Sequence, residues 1–136
     1  MSVESTRKVI QRYVDSKHTD MGVMADDVVF RNMATGDEHK GPEGVRQMLQ
    51  YIYHTAFEAD AVDTKIIADD NKAVLEGTFT GKHIGEFAGI PATGKEVSVP
   101  LAVSYDLEND KIKRARIYLE TPVLFAQLGQ NPPGPK

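Results

Sequence analysis

The chain of 136 residues contains no cysteine. That excludes disulfide staples and thiolate metal sites, and it suits a reducing compartment, so a cytoplasmic location is expected. Basic charge is not in excess either. Sixteen Lys and Arg against 20 Asp and Glu leave a formal charge of −4, the wrong sign for a phosphate-binding face, so nucleic acid is not an expected partner. No run approaches the roughly 20 apolar residues of a membrane span, and no membrane partner is expected. Met1–Arg12 lacks the apolar core of a signal peptide. The four histidines, His18, His39, His54 and His83, show no His-x-x-x-His spacing and no carboxylate–histidine cluster, so neither a metal nor another cofactor is expected. The glycine-rich stretch Gly81–Gly94 is no phosphate loop, because it lacks a strand-to-helix setting and a Gly-Lys-Ser/Thr ending.

What is present is an ordinary globular composition, 40% apolar and 26% charged, over the length of one domain. We read residues 1–129 as that domain and residues 130–136, with three prolines, as a loose tail. A first helix is predicted over Glu4–Lys17, where Val9, Ile10, Tyr13 and Val14 recur at helical spacing. A weaker helical turn at Met21–Met24 precedes a strand over Val28–Met33. Gly41-Pro42 then opens a helix whose face of Val45, Met48, Leu49, Ile52, Tyr53, Ala56 and Phe57 runs three turns. Four strands follow, Val62–Ala68, Lys72–His83, Glu96–Leu107 and Lys111–Leu119, in tight meander order that favours antiparallel pairing. A last helix over Thr121–Leu128 is stopped by Gly129. The fold class is therefore α+β: three helices on a strongly curved, mostly antiparallel sheet, a cone-shaped barrel that encloses a pocket.

The segment Gly81-Lys82-His83-Ile84-Gly85-Glu86-Phe87-Ala88-Gly89-Ile90-Pro91-Ala92-Thr93-Gly94-Lys95 resembles the signature stretch of SnoaL-like polyketide cyclases. That pattern runs glycine, any, histidine, any, glycine, an acidic–aromatic pair, Gly-Ile-Pro, and Thr-Gly before a basic residue. Ala25–Phe30, Gly41–Val45 and Lys111–Gly129 fit the same family, so the resemblance spans nearly the whole chain. It implies the nuclear-transport-factor-2-like, cystatin-like cone and a homodimer. The fold is shared by cyclases, isomerases, epoxide hydrolases and non-catalytic binders, so the residues must choose among them.

The resemblance puts Glu120 where these cyclases commonly carry an aspartate, implying a general acid/base; a brace to Arg116, or a partner for the following helix, is the structural alternative. Strand parity places Ile112, Arg114, Arg116, Tyr118 and Glu120 on one face, expected to look into the pocket. His83 or Tyr118 would relay protons, although a histidine on an apolar strand face also suits a hydrogen-bonded structural role. Gln11–Val14 is similar to the first helix of bacterial ketosteroid isomerases, whose matching tyrosine donates to an enolate oxygen. The isomerase's catalytic aspartate falls on Asn32, and its second oxyanion acid on Val103, so the isomerase's own route is not expected. Arg116, Asn32 and Tyr13 would orient carbonyl oxygens. Phe30, Tyr53, Phe79, Phe87 and Leu101, with Val14 and Leu49, would supply an apolar lining.

Three functions stay open. One is a cofactor-independent enzyme that cyclises or isomerises a polyketide- or terpenoid-like molecule of secondary metabolism. The second is a non-catalytic binder of an apolar ligand, and the third a dimerising accessory domain with a vestigial pocket. A polar cluster deep in the cone favours the enzyme; an all-apolar cone favours the binder.

Overall fold

A computed structural model describes residues 2–129, so the tail at 130–136 lies outside the described residues. The order of elements is α1 (Val3–Asp15), a 3-10 turn (Met21–Val23), β1 (Met24–Asn32), β2 (Glu38–Lys40), α2 (Gly41–Gln50), a π-helical turn (Tyr51–Thr55), β3 (Phe57–Asp69), β4 (Lys72–His83), β5 (Glu96–Glu108), β6 (Lys111–Leu119) and α3 (Thr121–Gln127). No helix among the described residues is long and apolar enough to cross a membrane.

The start of α1 is fixed locally. Ser2 Oγ accepts the Ser5 N–H and Ser5 Oγ accepts the Ser2 N–H, both at 3.0 Å, a reciprocal capping pair. From there Thr6, Ile10 and Tyr13 follow at helical spacing and are buried. Past the helix, Lys17 and His18 both adopt left-handed backbone (φ 57° and 64°), and the His18 N–H donates to the Tyr13 carbonyl.

The six strands form one sheet in the order β2-β1-β6-β5-β4-β3. Every pairing is antiparallel except β1 with β6. Two bulges bend it. In β3 the register slips between Val62 and Lys65 at the left-handed Asp63; in β6 one extra residue, Lys113, enters between the pairs Leu107–Ile112 and Asp106–Arg114. Such insertions sharpen twist and curvature. Helix α1 packs on β3 and β4, α2 on β1 and α3 on β5. The core joins Ile10, Tyr13, Val45 and Leu124 of the helices to Phe30, Phe57, Leu75, Val99 and Tyr105 of the sheet.

Two elements differ from the sequence reading. The predicted helix over residues 41–57 ends at Gln50, widens into the π turn, where the Ala56 N–H reaches the Tyr51 carbonyl at 2.7 Å, and gives way to β3 at Phe57. Ala56 and Phe57 fit a helical stripe, but Phe57 pairs with His83 across the sheet and is fully buried there. Sheet pairing outweighs local periodicity at this point. Strand β2 carries no β-forming residue; it exists because Glu38, His39 and Lys40 pair with Arg31, Phe30 and Val29 of β1.

Candidate active site

A cavity of about 780 Å³ opens between the sheet and the helices, within the size range of small-molecule sites. Its wall is built by alternation. On β5, Leu101, Val103 and Tyr105 turn inward on every second residue, and on β4 Leu75 and Phe79 do the same. The end of α2 and the π turn together deliver Gln47, Met48, Leu49, Tyr51, Ile52 and Tyr53 to the lining. Phe87 and Ala88 press in from the loop after β4.

The interior is aromatic, with rings meeting edge to face. Tyr13 lies 6.2 Å from Tyr105 at 79°, and both approach Phe30 at 6.5 and 6.4 Å. His18 meets the edge of Tyr13 at 5.0 Å and stacks on Tyr53 at 5.3 Å and 10°. Phe79 continues the series beyond Tyr53 at 5.5 Å. Within this apolar setting stand the hydroxyls of Tyr13, Tyr53 and Tyr105, none hydrogen-bonded to a described residue. Burial pushes the ionisation of Tyr13 far up, reinforced by Tyr105 and Tyr53. Burial likewise raises Tyr53, with Asp60 adding to it, and Tyr105, with Tyr53 adding to it. All three are therefore protonated at neutral pH and able to donate. His18 moves the other way: burial lowers its pKa, against a smaller raising effect from Asp60. Its imidazole is thus neutral at neutral pH and offers a free acceptor nitrogen.

Of the sequence-predicted site residues, Tyr13, Phe30, Asn32, Tyr53, Phe79, Phe87 and Leu101 line this cavity, as does Leu49. Val14 packs against the core instead. Glu120, Arg116, Tyr118 and His83 are not brought to the wall. The Lys113 bulge shifts the parity of β6, so Ile117 and Leu119 face the cavity while Arg116 and Tyr118 take the outer face. The expectation that one face of β6 carries Arg116, Tyr118 and Glu120 into the pocket is corrected accordingly. Tyr118 is 47% exposed. Arg116 donates to Asp106 Oδ2 at 3.1 Å, and Lys72 to Asp106 Oδ1 at 3.0 Å, so its partner is Asp106 rather than Glu120. Glu120 is an exposed residue at the start of α3; its carbonyl accepts from the Val123 and Leu124 N–H groups.

His83 closes the base of the loop between β4 and β5, residues 84–95, a flap that brings Phe87 and Ala88 to the cavity. Its Nδ1 accepts the Thr93 N–H at 3.2 Å and lies 3.0 Å from Thr93 Oγ1. Its backbone pairs with Lys95 and Gly94. With Nδ1 an acceptor, the proton sits on Nε2, which is buried without a partner among the described residues. The glycines beside it serve close approach: a Cβ on Gly81 would meet Glu58 O and Ala59 at 2.5 Å, and one on Gly85 would strike the Thr55 carbonyl. The glycine- and histidine-bearing positions of the signature thus clasp the flap to β3 and the π turn.

Sequence reasoning missed Tyr105 and His18. Tyr105 had a signal, the parity it shares with Leu101 on β5. His18 had none, since a polar break with two left-handed residues carries no periodicity. Among the described residues no group of three or more His, Asp or Glu could hold a metal ion.

The family model for SnoaL-like polyketide cyclases matches residues 11–128. Comparison with curated proteins gives no significant match. Solved structures share the fold. A SnoaL-like protein from Jannaschia sp. CCS1 is 15% identical over 95% of this chain and 94% of its own, with a TM-score of 0.83. A polyketide-cyclase-like protein from Silicibacter sp. TM1040 is 23% identical over 93% and 97%, with a TM-score of 0.81. A phenazine biosynthesis-related protein from Pseudomonas aeruginosa is 19% identical over 98% and 86%, with a TM-score of 0.78.

Proposed function

The chain belongs to the SnoaL-like polyketide cyclase family, and from that premise we propose that it is a cofactor-independent cyclase or isomerase acting by acid–base chemistry. Its substrate is a largely apolar, carbonyl-bearing small molecule of polyketide or terpenoid type. One observation carries the reading: three tyrosine hydroxyls stand in an aromatic cavity with no hydrogen bond to a described residue. A pocket evolved only to hold an apolar body gains nothing from hydroxyls left without partners, because each costs desolvation. Donors held ready in an aromatic cavity are what a developing enolate oxygen needs. The aromatic walls would stack a planar ring system and bring its carbonyl to those donors, so that positioning supplies much of the rate.

The test is exchange of a carbon-bound proton, which needs no natural substrate. 2-Tetralone, a fused-ring ketone with acidic protons at C1, is incubated with the protein in D2O and followed by NMR. Exchange faster than in protein-free buffer, and abolished by a tight-binding 2-naphthol competitor, is the expected result. Saturable binding of 2-naphthol with no acceleration of exchange would mean that the cavity is a binder, and the enzyme reading would fall.

A further inference from the structure

Enolate chemistry requires a base, and the carboxylates lining this cavity, Asp37 and Glu38, are exposed. Asn32, also on the wall, cannot accept a proton. Of the groups on the wall able to take one, His18 alone is buried, at 9% exposure, whereas His39 is only half-buried. We propose that His18 is the general base of the cavity, removing a proton from the carbon next to a carbonyl whose oxygen is held by the Tyr13 and Tyr105 hydroxyls. This rests on the acid–base reading given above.

Several independent features converge on His18. The backbone that presents it is held in an uncommon state, with Lys17 and His18 both left-handed, a conformation that persists for non-glycine residues only where the surroundings enforce it. The ring is oriented by two aromatic neighbours: it stacks on Tyr53 of the π turn and meets Tyr13 of α1 edge-on. The titratable groups acting on this corner of the cavity are Tyr13 from α1, Tyr53 from the π turn, Tyr105 from β5 and Asp60 from β3. Asp60 in turn pairs with Lys17 Nζ at 3.7 Å. The lowered pKa leaves the imidazole unprotonated at neutral pH, the state that a base must start from.

The step balances without a co-reactant. The C–H bond breaks and an N–H bond forms on a ring nitrogen of His18. The electron pair moves into a carbon–carbon double bond, and the charge reaches the carbonyl oxygen, where tyrosine hydroxyls donate to it. His18 becomes an imidazolium as the substrate becomes an enolate, so no net charge is added to the cavity, and the negative charge of Asp60 favours the imidazolium. Two outcomes follow. Return of the proton to a different carbon isomerises the molecule. Alternatively, the enolate carbon adds to a second carbonyl, and the imidazolium protonates the new alkoxide as a ring closes.

The experiment compares His18→Asn, His18→Gln and wild type in the 2-tetralone exchange assay between pH 4.5 and 8. Asparagine tolerates left-handed backbone better than glutamine, so the pair separates loss of the base from loss of the turn. For the wild type, exchange rises with pH and levels off, with its inflection below the ordinary histidine value of about 6.5. His18→Asn should lower the rate by about 100-fold or more and remove the inflection, while still binding 2-naphthol and melting cooperatively. Two results overturn the assignment: exchange undiminished in His18→Asn, or a diminished rate that keeps its inflection, which would report another titrating group. Should His18→Asn fail to fold, nitrogen-15 NMR of the wild-type imidazole decides. A His18 resonance that titrates with the exchange rate supports the role, and one that does not refutes it. If the wild type itself catalyses no exchange, the acid–base reading falls and this assignment falls with it.

Discussion

Removing the Tyr105 hydroxyl should not weaken the fold, although the residue is only 2% exposed. A buried tyrosine ordinarily hydrogen-bonds through its hydroxyl, and losing that bond costs about 1 kcal/mol. Here the ring makes the packing contacts, edge to face with Tyr13 and Phe30, and phenylalanine would keep them. The hydroxyl has no partner among the described residues. Holding an unpartnered hydroxyl in apolar surroundings costs about 1–3 kcal/mol, of which a cavity able to admit water recovers a part. Tyr105→Phe should therefore be neutral to stabilising by about 1 kcal/mol, which for a chain of this length raises Tm by roughly 3–6 °C. Urea and thermal unfolding at pH 7 measure it directly. Saturating 2-naphthol, whose oxygen imitates an enolate, should cancel any such advantage. Ligand linkage stabilises the wild type by RT ln(1 + [L]/Kd), and the variant should gain about 1 kcal/mol less for want of the hydrogen bond. Tyr13→Phe should follow the same pattern. If either variant without ligand lost more than about 1 kcal/mol, its hydroxyl would be paired inside the protein, and the argument that it waits for a substrate oxygen would be refuted.

Other substitutions test the remaining geometry. Gly85→Ala sets a Cβ against the Thr55 carbonyl, backbone that cannot swing aside, and should cost about 1–3 kcal/mol in urea unfolding. Thr93→Val removes the hydroxyl 3.0 Å from His83 Nδ1 and should raise hydrogen exchange across residues 84–94 more than in the sheet. Burial alone would raise the Asp106 pKa, but hydrogen bonds from Lys72 and Arg116 outweigh it and hold the carboxyl low. Its contribution to stability is thus complete above the unfolded value of about 3.9 and is lost as pH falls through the lower folded value. Asp106→Asn should accordingly lower the urea midpoint at pH 6 more than at pH 2.5. Glu120→Gln alters an exposed side chain away from the cavity and should change stability by under about 0.5 kcal/mol, leaving 2-tetralone exchange as in the wild type.

The architecture was legible where pattern and packing agreed. Val97, Val99, Leu101, Val103, Tyr105 and Leu107 alternate without interruption along β5, so period two and burial coincide. The helices were legible from caps and stripes for the same reason. Legibility failed where an interaction distant in sequence decided the outcome. Phe57 belongs to a helical stripe by spacing and to a strand by its pairing with His83. Strand β2 exists because β1 has a free edge. The single residue Lys113, inserted into β6, reverses which side chains of that strand see the cavity, and no local propensity announces it.

That bulge also governs where chemistry can reside in this fold. An acid or arginine placed on β6 by counting from the strand start reaches the outer face, where Arg116 joins Asp106 and Lys72. Ile117 and Leu119 then occupy the inner positions and leave that wall apolar. Polar function is left to α1, the left-handed turn after it, the π turn and β5, which bring Tyr13, His18, Tyr53 and Tyr105 together. Two of these four segments, the left-handed turn and the π turn, follow directly on regular structure, where the backbone can aim one residue without disturbing a ladder of hydrogen bonds. The glycine- and histidine-bearing signature does the opposite work: Gly81, Gly85, His83 and Thr93 are spent on backbone approach and on fastening the flap. A motif can therefore mark this family through what fastens a loop beside the cavity, while the groups proposed to act on a substrate lie elsewhere in the chain.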